Sequence, residues 1–323
     1  MKAALITRYG PPEVVSVGEA PKPVPGPGDL LVRVHATTVT RTDCGELRPH
    51  PQLGRLVFGL WRPKRQIFGM DFAGVVEAVG AGVTSFKPGD RVFGMCPARA
   101  NGAQADYVCL PETAPIAAIP AGIAFAETLA CEGALYANSS LQRYLTAPGR
   151  EVLVYGASGA IGSAAVQLAG HYGARVTAAV EARHLEMAQM LGADRVVTTA
   201  ELGQSAPRFD LVLDAVGKMT IFQWRRLLKP DGAFATTDIG PWGQNLIWIL
   251  WARLRGNKRV AVPLPERGSG PAFVGLLKTL LEAGRYRAII DRTYKLDAIA
   301  DAYRYVESGQ KAGIVVIDVA GDG

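Results

Sequence analysis

The chain has 323 residues, 49% hydrophobic and 20% charged, a length that favours two domains and a content that excludes disorder as the main state. Its formal net charge is +6. The basic excess lies in residues 41–65 and 251–270, stretches broken by Pro and Gly, and reads as solvated loops rather than a nucleic-acid face. In chain order, Ala3–Thr7 and Val14–Gly18 are short apolar runs, and Leu31–Ala36 alternates as a half-buried strand does. The prolines of "PKPVPGPGD" mark a loop between the last two. Further strands are expected at Phe72–Gly80 and Ala105–Leu110, with a Gly/Pro turn and a short strand between them. Many short strands joined by such turns suggest a closed or partly closed barrel.

Beyond Ala124 the period changes. Ala124–Tyr144 reads as a helix, and β and α then alternate: strand Val152–Tyr155, helix Ile161–Tyr172, strand Arg175–Val180, helix Ala182–Leu191 and strand Val196–Thr198. The alternation continues with strand Leu211–Val216, helix Thr220–Leu228, strand Ala233–Thr237, helix Gln244–Leu254 and strand Val260–Val262. This is the pattern of a parallel sheet with helices on both faces. Helices at Pro271–Ala283 and Ala298–Glu307 and a strand at Gly313–Ile317 close an α/β chain.

The stretch "EVLVYGASGAIGSAAVQLAG" carries the strongest chemical signal. An apolar strand runs into Gly156, Ser158, Gly159, Ala160, Ile161 and Gly162, after which a helix begins. Small residues at such a turn let the backbone approach a pyrophosphate at a helix N-terminus, so a dinucleotide site is expected. The next strand ends on "VEARH", offering both Glu181, suited to a ribose 2′-hydroxyl, and Arg183, suited to a 2′-phosphate. NADP(H) is preferred and NAD(H) stays open. The segment "TTDIG" closes another parallel strand and puts Asp238 and Ile239 among the cofactor-binding candidates. The glycines also explain why the uncharged run Val152–Ala174 is not a membrane span. With no signal-type N-terminus, a cytoplasmic protein is expected.

Six segments, "FGMDFAGVVEAVGAGVTSFKPGDRVFG", "VLVYGASGAIGSAAVQLA", "LGADRVV", "FDLVLDAVG", "LLKPDGAF" and "DRTYKLDAIADAYRYVESGQKAGIVVI", together resemble the medium-chain dehydrogenase/reductase superfamily and its zinc-independent quinone oxidoreductase branch. The resemblance implies a GroES-like β-barrel domain at 1–120 and 268–323 around a Rossmann doubly wound parallel-sheet domain at 121–267. It also implies an active site in the cleft between them.

Departures from the zinc-dependent pattern bear on mechanism. Thr40 stands where the resemblance places a zinc cysteine, and Met70 and Asp71 replace a His–Glu pair. The lobe of four close cysteines is missing: Cys44, Cys96, Cys109 and Cys131 are scattered, and no histidine pair has metal spacing. No zinc or other metal is therefore expected. Thr40 and Asp43 match a cleft-facing turn, where Thr40 could donate to a carbonyl oxygen and Asp43 could instead cap the following helix. In "CEGALYA" the family's usual threonine is absent, leaving Glu132 or Tyr136 by position, with Tyr136 taken as proton donor.

The expected activity is hydride transfer from NADPH to a quinone or an α,β-unsaturated carbonyl. Without a metal, a conjugated system can spread the charge that hydride attack creates. Two alternatives stay open: an alcohol or ketone dehydrogenase with a metal-free proton relay, and a non-catalytic NADPH-binding protein that works through interaction or through membrane-surface docking of the tryptophan/arginine segment. The expected partners are a small conjugated carbonyl or quinone and a second copy in a homodimer, with no nucleic acid and no membrane-surface contact. The segment "PWGQNLIWILWARLRG" reads as a helix on the core or at a dimer interface, with a lid over a planar substrate as the sharper alternative.

Overall fold

The computed structural model describes residues 1–49, 55–97, 102–145, 147–202, 208–238, 240, 243–256 and 259–321. The chain divides into two compact units, Met1–Glu132 with Gly268–Gly323, and Gly133–Arg267. The sequence places the first boundary at 120/121, whereas the units meet between Glu132 and Gly133.

The first unit opens with the antiparallel pair β1 (Lys2–Leu5) and β2 (Ser16–Glu19). A strand expected from Val14 begins only at Ser16, because Pro12–Val14 forms a single 3₁₀ turn with proline at its start. Next comes β3 (Asp29–Val39), an 11-residue strand that organises the sheet. One edge of β3 pairs with β4 (Asp71–Val79). Along its other edge, Asp29–Arg33 pair with β6 (Tyr107–Pro111), and Ala36–Val39 pair with a strand from the far end of the chain. β5 (Arg91–Met95) and β7 (Ile116–Ala118) extend the sheet beyond β4. The short helix α1 (Arg41–Leu47) leaves directly from the end of β3, and α2 (Arg55–Phe58) follows it.

The expected helix 124–144 is shorter. Ala126–Thr128 is a 3₁₀ turn, with the Thr128 hydroxyl donating to the Phe125 carbonyl at 2.7 Å, and α3 runs only over Cys131–Tyr144. A threonine that bonds its own backbone competes with the helix ladder.

The second unit is built on β8 (Glu151–Tyr155), α4 (Ala160–His171), β9 (Arg175–Val180), α5 (Leu185–Met190), β10 (Arg195–Thr198) and β11 (Phe209–Asp214). It continues with α6 (Ile221–Leu227), β12 (Leu228–Thr236), α7 (Gln244–Leu254) and β13 (Val260–Ala261). The strands pair in the order β10-β9-β8-β11-β12-β13, all parallel. This is the doubly wound order, with its switch point between β8 and β11. Residues on both faces of the central strands are fully covered: Val152, Leu153 and Val154 all have 0% exposure. Trp224 of α6 stacks on Phe234 of β12 at 4.5 Å and locks that helix to the sheet.

The chain then returns to the first unit through α8 (Gly270–Glu282), β14 (Ile290–Lys295), α9 (Ile299–Glu307) and β15 (Ile314–Asp318), which pairs with β3. Among the described residues the resulting seven-stranded path, β14-β15-β3-β4-β5-β7 with β6 beside β3, does not close on itself. Tyr303 of α9 is fully buried, and its hydroxyl donates to Gln104 Oε1 at 2.9 Å.

Candidate active site

In the first unit the turn from β3 into α1 creates a buried polar cluster. Thr40 is the N-cap of α1 and Asp43 its third residue. The Thr40 amide donates to Asp43 Oδ2 at 2.8 Å, and the Asp43 amide donates back to Thr40 Oγ1 at 3.3 Å, a reciprocal capping box. The Thr40 hydroxyl lies 3.1 Å from Asp43 Oδ2 and donates to it. On its other oxygen Asp43 accepts the Gly69 amide at 3.1 Å, so one carboxyl ties α1 to the approach to β4. The capping role expected as the alternative for Asp43 is thus present, in the same carboxyl that bonds the Thr40 hydroxyl.

Two further acids join this cluster. Asp71, first residue of β4, accepts the Glu132 amide at 2.9 Å and so caps the start of α3. The Thr42 hydroxyl donates to Glu132 Oε1 in a short hydrogen bond. Asp43, Asp71 and Glu132 are all buried, at 1%, 2% and 4% exposure. Burial, reinforced by the charge of Glu132, pushes the Asp43 carboxyl up to about 7. The same two causes hold Asp71 well above the carboxylate range, and burial raises Glu132 against hydrogen bonds from Thr42 and Thr40. Lys311, just before β15, is brought down to about 8 by burial, with Asp291 and Glu132 pulling the other way. A cluster of this kind holds protons near neutral pH, as a general acid requires.

Not every first-unit residue joins it. Arg65 of the basic loop pairs with Glu46 through one nitrogen at 2.6 Å from each carboxylate oxygen, and Trp61 points outward with 88% exposure.

In the second unit the glycine turn behaves as its sequence demands. Gly156 has φ +78°, and a Cβ there would stand 2.6 Å from Val216 Cγ1. Gly162 lies in the first turn of α4, where a Cβ would fall 2.1 Å from the Gly156 carbonyl oxygen. Gly159 is the N-cap of α4, and the Ser163 amide closes the first helical bond onto its carbonyl at 2.8 Å. The amides of Ala160, Ile161 and Gly162 therefore precede the intrahelical ladder and face outward from the helix end, as an anion site needs. Ser158 completes the turn.

The other cofactor candidates sit beyond the same carboxyl edge of the sheet. Glu181 follows β9 and forms an ion pair with Arg183 at 2.8 Å, both side chains more than half exposed. Asp238 follows β12; its backbone carbonyl accepts the Asn245 side-chain Nδ2 at 3.2 Å, which pins the loop to the first turn of α7. Ile239 and Trp242 lie outside the described residues. Tyr136 belongs to this unit, on α3, half-buried, with its carbonyl accepting the Ser140 hydroxyl at 3.1 Å.

Sequence reasoning passed over two residues of these clusters. Thr42 is one, since its partner Glu132 is 90 residues away in the chain. Asp214 is the other. Buried at the end of β11, it accepts the amides of Gly217 and Met219, each at 2.8 Å, and so shapes the loop beside the switch point. A lone acid ending the apolar run "FDLVLD" was its available signal.

Comparison with known proteins agrees with this architecture. Residues 26–153 match the alcohol dehydrogenase GroES-like domain, and residues 191–317 match the zinc-binding dehydrogenase family. A trans-enoyl reductase (pgmF) of Aspergillus terreus is 29% identical, the match covering 91% of this chain and 87% of that protein. The chloroplastic quinone-oxidoreductase QR1 of Triphysaria versicolor is 26% identical over 93% of this chain and 92% of its own. The solved quinone oxidoreductase of Coxiella burnetii superposes with a TM-score of 0.83 at 25% identity, covering 99% of both chains. With both domain types and full-length relatives in agreement, the chain belongs to the medium-chain dehydrogenase/reductase superfamily, a family of oxidoreductases that work with a nicotinamide cofactor.

Proposed function

We propose that the protein is a zinc-independent, NADPH-dependent reductase of quinones or α,β-unsaturated carbonyls. The observation that carries this reading is the Thr40–Asp43 pair. It sets a hydroxyl against a buried carboxyl poised near neutral pH, at the position where the family resemblance places a zinc ligand. The donor set there does not suit zinc. Thr40 Oγ1 is committed to Asp43, while Asp43 and Asp71 accept backbone amides. Burial keeps Cys44, Cys96 and Cys131 as neutral thiols. Among the described residues, no three His, Cys, Asp or Glu side chains gather as metal ligands.

A reduced nicotinamide, when bound, supplies the hydride. The chain's own residues bind the cofactor and handle the proton. The outward amides at the start of α4 hold the pyrophosphate, and Gly156 and Gly162 keep the turn open for it. In the first unit, once Asp43 is protonated its carboxyl donates to Thr40 Oγ1, reversing the bond between them, and the freed Thr40 hydroxyl donates to the substrate oxygen as charge accumulates there. Asp43 holds the replacement proton 3.1 Å from Thr40 Oγ1, and the buried Thr42–Glu132 pair adds a second store. Tyr136 is a further proton-donor candidate by its place in the motif alone. Tyr136→Phe should lower kcat for an enone about 10²-fold, and full turnover in that variant would remove Tyr136 from the mechanism.

The relatives' names, a trans-enoyl reductase and a quinone oxidoreductase, support a conjugated acceptor. Cofactor choice is assigned to Arg183. An exposed ion pair such as Glu181–Arg183 is worth at most about 1 kcal/mol, so the guanidinium can turn to a 2′-phosphate at little cost. Arg183→Ala should raise KM for NADPH about tenfold or more and leave KM for NADH nearly unchanged. Equal effects on both cofactors would contradict that assignment. The function as a whole is tested by following NADPH and NADH consumption with quinones, enones and saturated aldehydes. Turnover with the first two classes is expected. Turnover confined to saturated carbonyls, or none across the panel, would overturn the proposal.

A further inference from the structure

The strand order of the second unit fixes which loops a dinucleotide meets. With the pyrophosphate at the turn from β8 into α4, the Glu181–Arg183 pair lies to one side of β8, beyond the end of β9, where the adenosine ribose is met. The other half of the cofactor then extends across the switch point, toward the ends of β11 and β12. The loops that leave those two strands are keyed together.

Asp214 cages the loop after β11. Its carboxyl accepts the Val216 amide at 3.2 Å and the amides of Gly217 and Met219 at 2.8 Å each. Val216 packs on the β8 turn, where a Cβ at Gly156 would stand 2.6 Å from its Cγ1. The next residue meets the segment after β12. Gly217 is buried with φ +67°, and a Cβ there would stand 2.2 Å from Asp238 Cβ and 3.4 Å from Asp238 Cα. Any side chain at 217 would therefore displace the backbone at 238.

Asn245 holds the same segment from the first turn of α7, with only 2% exposure. Its Nδ2 donates to the Asp238 carbonyl at 3.2 Å and lies 3.4 Å from Thr236 Oγ1. The Thr236 hydroxyl donates to that carbonyl as well, at 3.1 Å. A Cβ at Gly240 would stand 2.5 Å from Asn245 Nδ2, so the amide is enclosed by the segment it binds. Burying an amide beside the apolar Ile249 and Ala252 costs desolvation that only its hydrogen bonds offset, and they go to this one segment.

We propose that Gly217 and Asn245 are positioning residues for the nicotinamide half of the cofactor. Gly217 lets the segment after β12 close on the loop after β11, and Asn245 fixes it there. Both act through the backbone at Asp238. This rests on the proposed seat of the pyrophosphate at the start of α4.

Isothermal titration calorimetry of the full chain with two ligands tests it: NADPH, and 2′-phospho-ADP-ribose, which lacks only the nicotinamide. Asn245→Leu, close in size and without a donor, should weaken NADPH binding about tenfold. Its affinity for the fragment should stay within about twofold of the parent's. Gly217→Ala should show the same pattern, because the Asp214 carboxyl holds the loop after β11 and the Asp238 backbone is the part that yields. In neither variant should NADPH bind more weakly than the fragment, since only the nicotinamide half loses its seat. Retained fragment binding also shows that the variants are folded. Equal weakening of both ligands by either variant would make that residue merely structural and overturn the proposal, as would NADPH binding that either variant leaves unchanged. A parent protein that binds neither ligand would refute the seat of the cofactor itself, and this proposal with it.

Discussion

Gly162→Val should abolish dinucleotide binding and destabilise the second unit by about 3 kcal/mol. A Cβ at Gly162 would lie 2.1 Å from the Gly156 carbonyl oxygen and 2.7 Å from Ala157 Cα. Both obstacles are backbone, held by the Gly156 and Ala157 amides bonded to the Ala179 carbonyl, so neither can move without opening the turn from β8. Valine adds two more carbons to that clash. Opening the turn misplaces the amides at the start of α4. Losing two charge-assisted bonds to a phosphate corresponds to about a hundredfold or more in affinity. Gly159→Ala is the matched control. Its Cβ would meet only the Gly156 carbonyl oxygen, at 3.6 Å, and its φ of −77° suits alanine. Its stability should change by less than about 1 kcal/mol, while cofactor affinity falls because the added methyl stands in the approach to the helix end. Differential scanning calorimetry with cofactor titration reads both effects. Tight NADPH binding by Gly162→Val would mean that the cofactor is held elsewhere.

Asp43→Asn should lower kcat about 10²-fold or more and flatten the pH profile of the remaining activity near neutrality. The carboxyl at about 7 is protonated on the acid side of that value, so proton delivery through Thr40 should fade as pH rises through it. The same group carries a stability signature. Its folded-state value lies above the unfolded one of about 3.9. Its favourable contribution is therefore fully present below about 4 and is lost as pH rises through about 7. Asparagine removes this dependence. It also turns an amide donor toward either the Thr40 or the Gly69 amide, at a cost of about 1–3 kcal/mol. Asp43→Asn should thus be less stable than the parent at acid pH, with the gap narrowing toward neutral pH. A gap that widens instead would mean that Asp43 is ionised throughout and acts only as a helix cap.

The second unit was largely legible in the sequence because its signals are local. Strand, glycine turn and helix succeed one another within one stretch, and α7 occupies the expected Gln244–Leu254. The candidate proton site was only half legible. Thr40 and Asp43 declare themselves by the three-residue spacing of a capping box, but Glu132 and Asp71 reach them from α3 and β4 through tertiary packing. No pattern along the chain encodes that meeting. The face of α7 that packs on the sheet was hidden for a different reason. A helix apolar nearly all round does not reveal which residues the sheet will cover, and the packing selects Ile249 and Ala252. The helix expected from Ala124 lost its first turns to a local Thr128 hydrogen bond that helix propensity alone does not weigh.

In the proposed reaction a conjugated carbonyl is reduced with a proton supplied by buried side chains and with no metal. The most direct test is NADPH-dependent turnover of an enone by protein that has been exhaustively chelated and assayed for bound metal. Undiminished turnover by metal-free protein, no gain on adding zinc, and a loss of about 10²-fold in Asp43→Asn are expected. Activity that vanishes with the metal and returns with zinc would contradict it.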